Sequence, residues 1–256
     1  MPASFLPLCS ALFAFALYLV AGPRTIDYLR RLKLGQQIRG DGPKSHLGKA
    51  GTPTMGGILM VVTIILAVIV FRPLTHNNVV MLFATIAFGV IGFLDDFIKI
   101  VAKRSLGLRA REKLVGQFGV AILVAIYATA RVGTDLFLPF SGQTIVLPSL
   151  IYIPLTTLVV VGSANAVNLT DGIDGLAAGS TAISAIAMGL IFYFLGNPDL
   201  SLFCGAVAGA CLGFTWFNAP PASIFMGDTG ALFLGYMLAT VSVQGLFKSY
   251  ALISFV

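Results

Sequence analysis

The chain has 256 residues, of which 57% are hydrophobic and 10% are charged, and its formal net charge is +6. Average soluble domains are roughly one-quarter charged, so this chain has too little polar surface to cover a soluble exterior. The composition also excludes a disordered, collagenous or nucleic-acid-wrapping chain. It predicts a single polytopic membrane domain over residues 1–256.

Charge-free stretches predict the membrane spans, because a helix that crosses a bilayer needs about 20 apolar residues. The predicted fold is an all-α, polytopic integral membrane helical bundle of eight transmembrane helices, with a ninth starting at Lys248. The eight stretches are 1–22, 50–71, 73–94, 114–130, 149–170, 175–198, 200–227 and 229–247. The seventh helix should stop near Asn218, because Pro220 and Pro221 follow it. Proline and glycine in segment 134–148 predict a short extracytoplasmic hairpin.

Lysine and arginine residues predict the orientation of these spans, because they accumulate in cytoplasmic loops. Of the 16 basic residues, 13 lie in the segments that follow the first and third spans. These segments are predicted to be cytoplasmic, which places the N-terminus outside an inner (plasma) membrane. The positive net charge then describes a basic membrane face and not a nucleic-acid partner. Contact with anionic lipids alone is the simpler interpretation of that face.

Five acidic residues fall at the ends of predicted spans on this same cytoplasmic face. They are Asp95 and Asp96 at the end of the third span, Asp171 and Asp174 between the fifth and sixth spans, and Asp228 before the eighth. A carboxylate at membrane depth costs roughly 2.5–3.5 kcal/mol on insertion scales, so such residues are candidates for function.

Two of these acidic sites also have a structural interpretation. Asp95 and Lys99 are four residues apart and can form a surface ion pair of small stabilising effect. Asp228 is well suited to cap the N-terminus of the eighth span. The coincidence of three acidic sites on one face favours function over structure alone.

Two amides share a helix stripe with an acid at the end of the fifth span. Asn165, Asn168 and Asp171 recur every three residues, so they line one side of the helix end. Capping and turn formation account for Asp171 and Asp174 but not for two amides inside an apolar helix. Amides and carboxylates together suit a polar ligand such as a nucleotide base and its ribose.

The segment from Gly42 to Gly57 combines glycine, threonine and lysine immediately before a predicted helix. Lys49 and Thr54 lie in this segment, where an ammonium group and backbone N–H groups can bind a phosphate. The alternative is a glycine-lined packing face on the second span. Because His46 and His76 lack a metal-ligand spacing, any metal should be held by oxygen atoms. Mg2+ fits, since it binds one or two carboxylates together with substrate phosphates.

Four motifs together carry a resemblance that covers nearly the whole chain. They are Gly42 to Gly57 with its KSHxxKxGTPTMGG pattern, Leu94-Asp95-Asp96-Phe97, Asn165 to Gly175, and Phe225 to Gly230. In this order and on one face, they resemble the phospho-N-acetylmuramoyl-pentapeptide transferases (translocase I). This family belongs to the wider polyprenyl-phosphate N-acetylhexosamine-1-phosphate transferases, and the first motif points to its muramoyl-pentapeptide branch.

The resemblance implies a ten-helix inner-membrane enzyme of peptidoglycan synthesis, and so of cell-wall biogenesis and cell division. The implied reaction is Mg2+-dependent. It transfers phospho-N-acetylmuramoyl-pentapeptide from UDP-MurNAc-pentapeptide to undecaprenyl phosphate, giving lipid I and UMP at the cytoplasmic face of the lipid bilayer. A homodimer is a candidate assembly.

The resemblance also assigns roles to individual positions. Asp95, Asp96 and Asp228 match the catalytic acids, and Asp228 matches the Mg2+ ligand. The positions matching the uridine-binding region are Asn168, Asp171, Asp174 and Phe225. The positions matching further substrate-binding residues are Lys49, Thr54, Asn165 and Asn218.

Two features depart from the family pattern. The family continues for about two more helices and a His-rich cytoplasmic loop, so the chain is expected to be C-terminally truncated. Ala231 stands where serine is common in the muramoyl branch. The alternatives are a related transferase that uses UDP-GlcNAc, an intramembrane aspartyl protease, and a secondary transporter.

Overall fold

The computed structural model describes residues 5–32, 51–72, 75–102, 107–138 and 143–244. Within these ranges the chain forms helices joined by short connections, with one β-hairpin. The helices are α1 (Leu6–Arg31), α2 (Gly57–Phe71), α3 (His76–Val101), α4 (Ala110–Arg131), α5 (Ser149–Thr170), α6 (Leu176–Phe194), α7 (Pro198–Asn218) and α8 (Gly227–Gln244). The predicted start of a ninth span lies outside the described residues.

Six helices of the described ranges, namely α1 and α3 to α7, are long and apolar enough to cross a membrane. Helix α2 is shorter, with 15 residues, and α8 is enclosed by the others. These features confirm a helical, polytopic membrane protein, while the number of eight or nine spans stays a prediction. Large apolar side chains such as Leu150 and Trp216 are exposed on the outside of the bundle, as a bilayer-facing surface requires.

Two of the predicted boundaries are confirmed. Helix α7 ends at Asn218, just before Pro220 and Pro221. Strands β1 (Asp135–Leu138) and β2 (Gln143–Val146) pair antiparallel, with Asp135 opposite Val146, and form the hairpin predicted over 134–148.

Three helices extend into segments that the charge pattern assigned to loops. Helix α1 continues through Pro23 to Arg31, and α4 begins at Ala110 and not near residue 114. Helix α3 continues to Val101, so Asp95 and Asp96 do not end the helix but lie more than one turn inside it. Each helix extends because the charged residues beyond its apolar core lie on its terminal turns, where they reach water or a partner.

The core lies around α8, which packs against α2, α3 and α5. Its inner residues, including Leu232, Phe233 and Tyr236, are completely buried. At its start, α8 approaches two other helices at the distance of backbone contact. A Cβ on Gly57 of α2 would overlap the backbone of Gly230, and a Cβ on Gly92 of α3 would overlap the carbonyl of Asp228. These glycines let α2, α3 and α8 converge on one point.

Candidate active site

Three carboxylates meet where α3 and α8 converge. One oxygen from each of Asp95, Asp96 and Asp228 lies within 4.8 Å of the others. Asp95 and Asp96 are only 3% exposed, whereas Asp228 is partly accessible. Three negative charges this close repel strongly unless cations are shared among them. This group is called the acid cluster below.

Two lysines neutralise much of the acid cluster. Lys99 Nζ lies 2.6 Å from Asp95 Oδ2 and 2.8 Å from Asp228 Oδ2, and Lys113 Nζ lies 2.8 Å from the same Asp228 oxygen. Three carboxylates and two ammonium groups leave one net negative charge. The interpretation of Asp95 and Lys99 as an isolated surface pair is therefore wrong, because Asp95 is buried and Lys99 also binds an acid from a distant helix.

Asp96 caps helix α8 from another helix. Its carboxylate accepts hydrogen bonds from the backbone N–H of Asp228 (3.1 Å), the backbone N–H of Thr229 (2.9 Å) and the Thr229 hydroxyl (2.7 Å). The expectation that Asp228 itself caps the eighth helix is wrong, because α8 begins at Gly227 and Asp228 belongs to its first turn. The N–H groups that a helix leaves unpaired at its start are thus satisfied by Asp96.

Gly227 makes this contact possible. It adopts a left-handed φ of +73°, and a Cβ there would lie 2.5 Å from Asp96 Oδ2 and 2.9 Å from the Thr54 hydroxyl. A larger residue would therefore separate Asp96 from the start of α8. Thr54 is brought to the edge of the acid cluster by the same close packing.

Short backbone hydrogen bonds fix the segment before α2 to the segment before α8. The Phe225 N–H donates to the Pro53 carbonyl at 2.8 Å, and the Gly56 and Gly57 N–H groups donate to the Phe225 and Met226 carbonyls at 2.9 and 3.0 Å. Thr54 and Phe225, two predicted substrate-binding residues, therefore occupy neighbouring backbone positions. Lys49, a third predicted residue, lies outside the described residues.

The two asparagines on one face of α5 contact different partners. In the amide orientation that matches donors to acceptors, Asn168 donates to Asp228 Oδ1 at 2.9 Å and accepts from Lys113 Nζ at 3.2 Å. Asn165 lies about one turn deeper and donates to Gln117 Oε1 at 2.8 Å and to the Val161 carbonyl at 2.7 Å. Asn168 thus joins the acid cluster directly, whereas Asn165 faces helix α4.

Asp171 lies at the C-terminal end of α5, beside the acid cluster. Burial and then the carboxylates of Asp228, Asp96 and Asp174 raise the pKa of Asp171 to about 8. Without a cation in the cluster, this shift favours the protonated side chain, which can donate a hydrogen bond. A protonated acid beside an ionised cluster suits recognition of a neutral polar group such as a base or a sugar hydroxyl.

Asn218 has a supporting position. Its Oδ1 accepts from the Gly175 N–H at 2.7 Å and its Nδ2 donates to the Ile224 carbonyl at 2.8 Å. The side chain is 3% exposed and joins the loop before α6 to the loop before α8. The sequence analysis groups Asn218 with the substrate-binding residues. In the structure its side chain is buried and connects two backbone segments by hydrogen bonds.

Sequence reasoning missed Lys113, Gln117 and Thr229 as members of this region. Lys113 belongs to the basic segment after the third span, where its charge looks the same as the charges that set orientation. Its distinguishing signal is its place inside α4, on the same helix face as Gln117 four residues later. Thr229 directly follows Asp228, and a threonine in the first turn of a helix is an ordinary observation.

The acid cluster also has the donor chemistry of a divalent-cation site. Its ligand atoms are all carboxylate oxygens, as Mg2+ prefers, and they lie close enough together to share one ion. Asp96 is the least available of the three, since backbone N–H groups of α8 hold both of its oxygens, whereas Asp228 and one oxygen of Asp95 are paired with side chains that can move aside. A divalent cation would turn the net charge from one negative to one positive, which suits a diphosphate substrate.

A buried cluster of acids and lysines between membrane helices has the charge pattern that suits binding of phosphate groups at a membrane. The family model for glycosyl transferase family 4 matches residues 78–246. Signature 1 of the phospho-N-acetylmuramoyl-pentapeptide-transferases matches residues 49–61. The chain therefore belongs to the phospho-N-acetylmuramoyl-pentapeptide-transferase family.

Similar proteins support this membership over most of their length. A phospho-N-acetylmuramoyl-pentapeptide-transferase from Thermoanaerobacter sp. is 47% identical over 230 residues, which cover 90% of this chain and 72% of that protein. The same-named protein from Caldanaerobacter subterraneus is 44% identical, over 91% of this chain and 74% of its own length. One from a Geobacillus species is 46% identical, over 91% and 73%.

Proposed function

We propose that this chain transfers phospho-N-acetylmuramoyl-pentapeptide from its UDP-linked precursor to undecaprenyl phosphate, forming lipid I and releasing UMP. Family membership supports the reaction, and the acid cluster with its two lysines carries the proposal for where it occurs. Phosphoryl transfer needs positioning and charge neutralisation more than covalent chemistry, and this group supplies both. An oxygen of the polyprenyl phosphate attacks the phosphorus that bears the sugar, and UMP leaves with the electron pair of the broken P–O bond.

Asp228 and Asp95 would hold the Mg2+ ion on which we propose this reaction depends. When bound, the ion neutralises charge on the diphosphate and on the departing UMP. Asp228 fits this role because it is the most accessible acid of the cluster, and the ion would share it with the two lysines. The lysines and the ion together balance the negative charge that the two substrates bring.

The remaining residues are assigned by their contacts. Asp96 holds the first turn of α8 and so fixes Asp228, whereas Asp95 is the better placed of the pair to orient the attacking phosphate. Lys99 and Lys113 would donate to phosphate oxygens. Asn168 and Asp171 would bind the uridine together with Asp174 and Phe225, and Thr54, at the edge of the cluster, would contact another part of the substrate.

A single assay tests the function. The purified chain in lipid or detergent is expected to release UMP from UDP-MurNAc-pentapeptide only when both undecaprenyl phosphate and Mg2+ are present. The Thermoanaerobacter relative serves as the positive control. UDP-GlcNAc as the only donor should give little UMP, and preference for it would favour the related branch of the superfamily. Mg2+-independent release, or none from this chain while the relative is active, would contradict the proposal.

The acid cluster is proposed to lie at the cytoplasmic face of the inner membrane, with the N-terminus outside. The positive-inside bias supports this, since 13 of the 16 basic residues belong to the two segments that follow the first and third spans in the sequence. The hairpin of β1 and β2, at the opposite end of α4 and α5, would then be extracytoplasmic. A cytoplasmic site would also meet the UDP-linked substrate, because UDP-sugars are made in the cytoplasm.

Labelling of single cysteines tests this orientation. In a background with Cys9, Cys204 and Cys211 replaced, cysteines are placed at exposed Arg111 of α4 and exposed Thr144 of β2. The Thr144 site is expected to react with a membrane-impermeant thiol reagent on intact spheroplasts, and the Arg111 site only after permeabilisation. The reverse pattern would place the acid cluster outside and contradict the proposed function.

A further inference from the structure

Gln117 is a fully buried polar residue next to the active site that the assigned roles leave unexplained. It lies on α4, one turn from Lys113, and has no exposed surface. Its Oε1 accepts a hydrogen bond from Asn165 Nδ2 at 2.8 Å. Its Nε2 is buried and has no hydrogen-bond partner among the residues that the structure describes.

This arrangement is unfavourable for stability alone. A buried donor without a partner costs about 1–3 kcal/mol, and an apolar side chain of similar volume avoids that cost while giving up the hydrogen bond with Asn165. Methionine has the same unbranched shape and would fill the site among apolar helices. A glutamine at this position therefore needs a reason other than packing.

Its neighbours supply that reason. Lys113 and Gln117, four residues apart, lie on one face of α4, and Asn168 and Asn165, three residues apart, lie on the facing side of α5. The helices are thus joined by two polar contacts, Lys113 to Asn168 at 3.2 Å and Gln117 to Asn165 at 2.8 Å. The first contact lies directly beside the acid cluster, and the second lies one helix turn deeper.

Polar pairs specify register between helices, whereas apolar side chains tolerate sliding. Helix α5 is already held on its other side, because Gly235 of α8 packs directly on the Ser163 carbonyl. The contact of Gln117 with Asn165 then sets the position of α4 along its axis relative to α5. This axial position decides whether Lys113 reaches Asp228. In the structure, Lys113 donates a hydrogen bond to Asp228 at 2.8 Å.

We infer that Gln117 is a positioning residue of the active site: it holds Asn165 and thereby fixes the register at which Lys113 and Asn168 meet Asp228. This inference rests on the proposed transferase function. The residue does not touch the acid cluster, so it acts on the rate through Lys113. It is retained at a cost to stability, as positioning groups of active sites often are.

The test compares Gln117→Met with Gln117→Glu. In Gln117→Met, kcat for UMP release should fall by about tenfold to a hundredfold, as a small misplacement of reacting groups does. KM for the UDP-linked substrate should change less than about threefold, and Tm should stay close to that of the wild type, because removal of the unpaired Nε2 offsets the lost hydrogen bond to Asn165. Gln117→Glu retains the acceptor for Asn165 and should keep more activity than Gln117→Met.

A matched control separates positioning from general damage. Ser201→Ala removes another buried contact between helices. Ser201 lies at the end of α7 far from the active site and donates a 2.7 Å hydrogen bond to the Gly189 carbonyl of α6. The substitution should lower Tm and leave kcat near the wild-type value. A Tm of Gln117→Met clearly below the wild type would overturn the inference whatever the reaction proves to be. If the wild type is active and Gln117→Met has the same kcat, the inference is also overturned. If the wild type itself is inactive, the result contradicts the proposed function and not this inference.

Discussion

Asp228→Asn is expected to lower turnover by about a hundredfold or more, as removal of one preorganised electrostatic group does. Asp228 is the acid to which both lysines and Asn168 converge. An amide keeps the shape of the side chain but lacks the charge that would hold Mg2+, and its NH2 group would face ammonium groups. The fold should survive, because α8 is capped through the backbone N–H of Asp228 and not through its side chain.

The control for this variant is Asp199→Asn. Asp199 is also a partly buried acid in an ion pair, 2.9 Å from Arg72 Nε, and it accepts from the Thr75 hydroxyl at 3.1 Å. It lies at the opposite end of α7 from the active site, so its loss should lower Tm without a selective loss of turnover. Near-normal turnover of Asp228→Asn at saturating Mg2+ would contradict the metal-ligand role.

Charge-free stretches predict the helices well because a bilayer imposes the same length and the same apolar character on each one. The end of α7 at Asn218 and the hairpin between α4 and α5 are equally predictable, since proline and glycine act on the backbone locally. These are properties that neighbouring residues determine among themselves. The resemblance of the motifs, confirmed by family membership, likewise depends on short runs of sequence.

The helix ends at the active site are less predictable because distant residues decide them. Asp95 and Asp96 look like the end of α3, yet the helix continues past them, since Lys99, Leu108 and the start of α8 satisfy both carboxylates. The spacing of Asn165 and Asn168 indicates a shared stripe correctly. It does not reveal that one amide faces the acid cluster and the other faces a glutamine.

Lys99 and Lys113 show the same limit of prediction from sequence. Lys99 is four residues from Asp95, so an ion pair between them can be predicted from the chain. Lys113 lies 115 residues from Asp228, and the packing of α4 on α5 and of α5 on α8 brings the two together. A lysine that orients the protein in the membrane and a lysine that enters the active site have the same appearance in sequence.

Lys113→Met is therefore expected to affect turnover far more than its place in a basic segment suggests. The variant removes the ammonium group that lies 2.8 Å from Asp228 Oδ2 and 3.2 Å from Asn168, and it leaves one cation against three carboxylates. Turnover should fall by about a hundredfold, because a positioned cation is lost where negative charge accumulates in the transition state. The apparent affinity for Mg2+ should rise at the same time, since the ion no longer competes with Lys113 for Asp228.

Arg111→Met is the matched control, since it removes a positive charge from the same helix at an exposed position two residues away. Turnover of this variant should stay within about twofold of the wild type, because surface substitutions away from special contacts have small effects. If both variants lose activity equally, the effect of Lys113 is that of general surface charge. If Lys113→Met alone is impaired and binds Mg2+ more tightly, the lysine acts at Asp228, and the basic segment contributes a catalytic group.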